Sequence, residues 1–518
     1  MSQLANTSHV GFAPVVGFDY SSWYSSCVIT GVLVALVVYS MRDKYQDLPH
    51  ANPNKFTELT TSRTRAEFLV NARRVMDRAA PFKDKPYRVM TDNGPQLVLP
   101  PRYVEELKGS MDLSFNKAIT EVGHGYLPGL EPIGGPLELP NVVSKHLTKK
   151  LSFVTSPISE EASLALQDIF TDSKEWTELT EGKIMPVVAR MSSRVFMGQE
   201  LCNDEKWIKA STHYVRTVFK HRGQISAWPR ILRPFAYRFM PASREIQQAL
   251  QACRDVLQPH VGKRAALNKE AVARGEPKPY HDSLEWFAAE IKHGYDPAIA
   301  QITMSLVAIH TTTDLLTQTM ADLAGHPELI ESLRREVIEV LGAHGLKKAA
   351  FQKLVLMDSC FKESQRMRPT FLAFFLRQAL VDVKLSDGFV IKKGTKLFMD
   401  SSPMMDEEIY PEPHRYNPYR FVEMRKTPGE EAKSHLISVS ANHFGFGHGV
   451  HACPGRYFAA NELKIAMAHI LLKYDWKLAD GCENLQPITI SVRYANHPNL
   501  KLLVRRRKEE LDLNTLDC

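Results

Sequence analysis

A cysteine set among glycines carries the strongest chemical signal in this chain. In Phe446-Gly447-His448-Gly449-Val450-His451-Ala452-Cys453-Pro454-Gly455-Arg456, a thiol stands just before a proline and a long helical run from Arg456 to about Tyr474. Unpaired N–H groups and the macrodipole at a helix start stabilise a thiolate. Gly447, Gly449 and Gly455 let the backbone turn tightly and approach a partner closely. His451 is a candidate contact for an anion. The same residues also fit a glycine-rich strand-to-helix turn around an inert cysteine, and residue types alone leave both readings open. The other cysteines (Cys27, Cys202, Cys253, Cys360, Cys482 and Cys518) are widely spaced and form no C-x-x-C. A disulfide framework or zinc site is therefore not expected.

Two further constellations stand out. Glu363 and Arg366 are three residues apart in a helical stretch from about Lys353 to Met367 and share a face. As a surface ion pair they contribute at most about 1 kcal/mol. Val307-Ala308-Ile309-His310-Thr311-Thr312 lies in an otherwise apolar helix. A lone core histidine such as His310 is readily a hydrogen-bonded packing residue.

The cysteine segment resembles the haem-binding loop of the cytochrome P450 family: Phe, two residues, Gly, one residue, Arg or His, one residue, Cys, one residue, Gly. Phe446, Gly449, His451, Cys453 and Gly455 meet it. The resemblance implies heme b, with Cys453 as axial thiolate to the iron and His451 beside a propionate. It also implies that Glu363, Arg366 and Arg420 (in Pro418-Tyr419-Arg420-Phe421) form a buried structural ion triad. Ala308, His310 and Thr311 resemble the family's oxygen-binding groove, with His310 where an acid is common. Arg377 is similar in position to an arginine that reaches a propionate. His146 and Lys150 have the spacing of another propionate-binding pair, although the tryptophan usual there is absent. Met304, Phe371, Leu372 and Phe374 are candidate pocket-lining residues. His451-Ala452-Cys453-Pro454-Gly455-Arg456 and Lys362-Glu363-Ser364-Gln365-Arg366-Met367 resemble fungal secondary-metabolism members, including ent-kaurene oxidase-like terpenoid oxidases. They imply a monooxygenase that hydroxylates a lipophilic terpenoid or meroterpenoid, using O2 and an NADPH–cytochrome P450 reductase. Two rivals are a haem-thiolate isomerase or dehydratase that does not use O2, and an inactive P450-like membrane protein.

These residues need elements to hold them. Asp296-Pro297 gives a helix start, and Gly325 with Pro327 a stop, framing about 28 residues or roughly 42 Å. Three consecutive threonines at its centre predict local bending by back-bonded hydroxyls. Strand-like stretches fall at about 87–99 and 374–400. The pattern predicts an α-rich α+β domain over 55–510, the cytochrome P450 fold by resemblance, with a tail over 511–518.

Residues 20–41 hold no charge and have an apolar centre at Val28–Tyr39; Arg42 and Lys44 follow. This predicts an uncleaved transmembrane anchor, with residues 1–19 lumenal, a Pro-containing hinge over 42–54 and the catalytic domain cytosolic at the endoplasmic reticulum membrane. A cleaved signal peptide would instead have its basic residues before the apolar core. Asn6-Thr7-Ser8 is a glycosylation sequon. The charge of +7 is scattered, which disfavours nucleic acid as a partner. Gly123-His124-Gly125 lacks the spacing of a dinucleotide fingerprint, so electrons are expected from a separate protein.

Overall fold

The computed structural model describes residues 24–32, 35, 44–58 and 60–517. Helices dominate, and the longest runs of burial lie on two of them, Pro297–Ala324 and Arg456–Lys473. Asp296 caps the first of these by accepting the N–H groups of Ala298 at 2.9 Å and Ile299 at 3.3 Å. The three threonines leave this helix continuous: Thr311 Oγ1 donates back to the carbonyl of Val307 at 3.0 Å without interrupting it.

The larger sheet has five strands in the order Tyr87–Thr91, Gly94–Leu99, Lys396–Asp400, Ala373–Ala379 and Leu113–Ser114. Its central pairing, Leu97 with Leu397, is parallel. Between Ala373–Ala379 and Lys396–Asp400 the register shifts between Phe374 and Arg377, and Phe375 has φ of 58°. A bulge with a bulky residue in the left-handed region is strained, and it re-aims the side chains that follow it. Smaller sheets join Thr177–Thr180, Lys501–Arg506 and Tyr474–Leu478, and pair Ile488–Ile490 with Arg493–Ala495.

Several sequence expectations change. The helix carrying Glu363 begins at Val355, not Lys353, because Glu336 accepts the N–H groups of Leu356 and Met357 at 2.7 and 3.0 Å and fixes its start there. The segment expected to be a hinge is held against the sheet edge. Ala51 N–H donates to the Arg88 carbonyl at 2.9 Å, Arg88 N–H to that of Pro49 at 2.8 Å, and Asn52 is buried. The expected C-terminal tail also packs, with Leu513 buried and the Asp517 carbonyl accepting Leu346 N–H at 2.8 Å. The folded body therefore extends beyond 55–510 at both ends. Among the described residues no helix is long and apolar enough to cross a membrane. Residues 24–32 are helical. Apart from residue 35, the remainder of the expected anchor lies outside the described residues, as do residues 42–43 of the hinge and Asn6.

Candidate active site

The loop before Arg456–Lys473 is shaped by positions that only glycine fills. Gly447 and Gly449 have φ of 71° and 74°. A Cβ on Gly449 would stand 2.1 Å from the Lys108 carbonyl oxygen, and one on Gly445 would stand 2.0 Å from the Gln365 side chain. Phe446 packs against the main core, and its carbonyl accepts the Cys453 N–H at 2.8 Å. Gly449 accepts from Ala452 at 3.0 Å. The turn thus presents Cys453 just ahead of a helix N-terminus. Burial raises the thiol pKa, opposed by the backbone N–H groups of Gly455 and Arg456 and by the Arg456 guanidinium. Cys453 nevertheless keeps accessible surface. A thiol that is deep and still accessible borders an internal space. On Gly455 a Cβ would meet only the Cys453 sulfur, at 3.9 Å, so the polypeptide itself leaves that flank of the sulfur open.

Two arginines act on the loop that carries Cys453: Arg456 on the thiol and Arg377 on His451. Arg377, which the bulge turns inward, is 3% exposed. Its guanidinium donates to the carbonyl of its neighbour Leu376 at 2.7 Å and lies 4.2 Å from the Phe375 ring and 5.8 Å from that of Phe115. Among the described residues it has no ion-pair partner. Burial pushes its pKa down to about 10. Burial, with the nearby charge of Arg377, also lowers His451, whose Nε2 is buried without a partner. Arg456 Nε is likewise buried and unpaired. A haem supplies what these groups lack: an iron cation for the sulfur and two carboxylates for buried donors. The residues present therefore fit the group.

His146 and Lys150 are placed differently. Their four-residue spacing assumes an α-helix, but Val143–Thr148 is a π-helix, and Lys150 caps the next helix with non-helical φ and ψ. His146 Nε2 lies 2.8 Å from Glu290 Oε1, and its ring stacks on Trp286 with centroids 6.1 Å apart. His146 is thus committed to Glu290 and Trp286 rather than free for a propionate.

Behind the loop, Arg366 donates to Glu363 from Nε at 2.8 Å and from NH2 at 2.9 Å, and Arg420 Nε reaches both Glu363 oxygens at 3.1 Å. Glu363 and Arg366 are 0% exposed. The carbonyls of Met404 and Pro413 take the remaining donors of Arg366 at 2.7 and 2.8 Å. The structure brings all three members of the expected triad together and adds backbone partners that the spacing did not suggest.

The middle of Pro297–Ala324 lines a space. Residues 305–311 are accessible while 300–304 and 312–320 on either side are buried, and Val307 reaches 53%. Ala308, His310 and Thr311 share this stretch. Burial first, and Arg493 second, lower the His310 pKa against the opposing charge of Glu181, so the imidazole is neutral near pH 7. One turn on, Arg493 NH2 donates to both Asp314 oxygens at 2.8 and 2.7 Å, and Asn496 joins Glu181, at 3.0 Å, to the Asp314 carbonyl, at 3.2 Å. No sequence motif marked this polar group. Of the expected pocket residues, Phe371 is 47% exposed, but Met304, Leu372 and Phe374 are buried in three separate core clusters. Phe374 stacks on Phe444 at 3.4 Å, propping the start of the loop. Val307 is the accessible apolar residue that sequence reading missed.

A cleft of about 490 Å³ lies beside the loop, lined in part by Lys108, Asn141, Ser144, Val450 and Arg456.

The family model for cytochrome P450 matches residues 142–501. The chain is 44% identical over 499 residues to cytochrome P450 monooxygenase eqxH of Fusarium heterosporum, covering 95% of this chain and 96% of that one. It is 38% identical over 510 residues to cytochrome P450 monooxygenase adrA of Penicillium rubens, covering 95% and 98%. The fold is similar to that of retinoic acid-bound cyanobacterial CYP120A1, with TM-score 0.64, 16% identity, and 89% and 100% of the two chains covered. Together with the glycine loop that presents Cys453 at a helix start, these likenesses show that the chain belongs to the cytochrome P450 family: it is a monooxygenase, an oxidoreductase that carries haem on a cysteine thiolate.

Proposed function

We propose that this enzyme inserts one oxygen atom from O2 into a C–H bond of a lipophilic terpenoid or meroterpenoid in fungal secondary metabolism. Repeated rounds on one substrate belong to the same reading. The second oxygen leaves as water, with two electrons from an NADPH–cytochrome P450 reductase and two protons from solvent. The observation that carries this reading is the accessible stretch of Ala308, His310 and Thr311 in the same protein as a deep, accessible Cys453.

Haem bound at Cys453 supplies the oxygen-activating chemistry. Arg377 and His451 would pair with its carboxylates by charge-assisted bonds. The glycines of the loop let N–H groups approach the sulfur and tune it. The triad of Glu363, Arg366 and Arg420 locks the wall behind. The small side chain of Ala308 leaves room beside the helix. Thr311 Oγ1, whose proton is held by the Val307 carbonyl, can turn that proton outward. Neutral His310 can accept and release a proton at a ring nitrogen where an acid is more usual. Val307 and Phe371 give an apolar wall, in keeping with a lipophilic substrate. The cationic loop face, with Lys108 and Arg456 at the cleft, suits an acidic reductase surface. The apolar run before Arg42 and Lys44 supports a single-pass anchor in the endoplasmic reticulum membrane with the catalytic body cytosolic.

The test reconstitutes the full-length enzyme with NADPH–cytochrome P450 reductase in vesicles and offers a panel of sesquiterpene and diterpene hydrocarbons under oxygen-18 gas. A product carrying label from the gas, in amounts matched to NADPH consumed, supports the reading. A rearranged or dehydrated product without label, formed without NADPH, overturns it.

A further inference from the structure

Away from Cys453, a second group of charges is half-buried beneath the loop joining helices Glu205–Ser226 and Pro241–Ala273. Arg65 comes from helix Ser62–Asp77, Arg222 from the end of Glu205–Ser226, Arg230 and Arg233 from the loop and its short helix, and Lys396 from the start of strand Lys396–Asp400. The carboxylates among them, Asp92 and Glu121, are already engaged. Arg230 holds Glu121 through two donors at 2.6 and 2.9 Å, and Arg222 stands 3.7 Å from Asp92. Among the described residues Arg65, Arg233 and Lys396 have no ion-pair partner. Arg65 NH1 donates to the Ser226 carbonyl at 3.3 Å, and Lys396 Nζ to that of Asn93 at 3.0 Å. Nε of Arg65 and Nε of Arg233 are buried with no acceptor.

The cations act on one another. Burial pushes the Lys396 ammonium down to about 8, with Arg233 and Arg65 adding to the effect and Glu121 opposing it. Burial and then Arg233 hold Arg65 below its ordinary value. His124, bonded to Arg233 at 3.1 Å, is pushed to about 3 by burial and the same arginine, and stays neutral. Five cations around the two carboxylates Asp92 and Glu121 leave an excess of positive charge, which weakens a fold unless a further anion joins it. The space above Gly94 is bounded by both cations: a Cβ there would stand 3.9 Å from Arg65 NH2 and 4.0 Å from Lys396 Nζ. The two cations therefore flank one point.

This point lies within a small molecule's length of the haem site. Helix Phe115–Val122 begins at Phe115, which touches Arg377 and His451, and carries Glu121 into the cation group near its other end. That is about 9 Å along the axis at ~1.5 Å per residue. Lys396 pairs with Gln378, the residue after Arg377.

We propose that Arg65, Arg233 and Lys396 bind a carboxylate at one end of the apolar substrate, so that the enzyme selects lipophilic acids over neutral molecules of the same length. This rests on the monooxygenase reading and narrows its substrate class. Charge-assisted bonds at a partly buried site favour the acid by at least tenfold, about 1.4 kcal/mol.

The test titrates the full-length holoprotein with dodecanoate and dodecanol, below their micelle concentrations, by calorimetry. The proposal expects a dodecanoate Kd at least tenfold below that of dodecanol. Arg65→Met and Lys396→Met should bring dodecanoate to the level of dodecanol with dodecanol affinity unchanged, which also shows that the variants are folded. Lys396→Arg should keep the preference. Equal affinities in the wild type, or a preference that survives the double Met variant, would overturn it. So would a double variant that loses binding to phosphatidylglycerol over phosphatidylcholine vesicles while keeping its dodecanoate preference, because the site would then serve a lipid headgroup. The carbon monoxide spectrum of the same samples reports on Cys453 alone, and so separates failure of this proposal from failure of the haem-thiolate assignment.

Discussion

Arg377→Met should move the apoprotein and the holoenzyme in opposite directions. The guanidinium is 3% exposed and has no anionic partner among the described residues. In the haem-free protein it therefore carries a desolvation cost of about 1–3 kcal/mol for an incompletely satisfied buried group. Methionine fills a similar volume without that cost, so the apoprotein gains roughly this amount. In the holoenzyme the same change removes a charge-assisted bond of about 1.5–3 kcal/mol. Haem affinity reflects both changes and should fall by about 2.5–6 kcal/mol, roughly two to four powers of ten. Urea denaturation of the apoprotein reads the first quantity, and haem transfer to apomyoglobin reads the second. Arg377→Lys, which keeps the charge, should retain most of the affinity. A destabilised Arg377→Met apoprotein, or unchanged haem transfer, would refute the assignment of Arg377 to a propionate.

Glu363→Ala leaves Arg366 and Arg420 without a carboxylate partner and should cost about 3–5 kcal/mol, seen as a lower urea midpoint. Removing the exposed Lys209–Glu205 pair should change the unfolding free energy by less than about 0.5 kcal/mol. Gly449→Ala places a Cβ 2.1 Å from the Lys108 carbonyl at a φ of 74°, so the purified protein should lose its thiolate-haem spectrum. Thr311→Val should lower product formation roughly a hundredfold, the scale of a positioned proton donor, while NADPH oxidation continues and hydrogen peroxide accumulates. Burial raises Glu462 to about 8. Because its folded value lies above its unfolded one, it favours the fold fully below about pH 4.5, and this contribution is lost as pH rises toward about 8. Stability should therefore decline by a few kcal/mol across that window, and Glu462→Gln should flatten the decline in pH-dependent urea titrations.

The parts of the site that could be read in the sequence are the local ones. Cys453, His451 and the glycines lie within one short loop, where the resemblance to the family's haem loop carried their placement, and Glu363 with Arg366 share one helical face. Features made by distant segments left no local trace. Arg493 and Asp314 are separated by 179 positions and meet only because the Arg493–Ala495 strand folds back onto the central helix. The cation group draws Arg65, Arg233 and Lys396 from three separate elements. Expectations based on ideal periodicity went astray where the backbone departs from it. The π-helical Val143–Thr148 segment commits His146 to Glu290, and Phe374, expected in the pocket, stacks on Phe444 in the core. Met304 and Leu372 were expected in the pocket because they are apolar and near the motifs; the structure uses them as core.

The most direct test of the central claim is the carbon monoxide spectrum of the reduced holoprotein, recorded beside Cys453→Ser. A Soret band displaced to the red in the wild type, as thiolate ligation requires, and absent from a folded Cys453→Ser variant that still binds haem, is the predicted result. A wild-type protein that is folded and supplied with haem yet shows no such band, or a Cys453→Ser variant that retains it, would contradict the account.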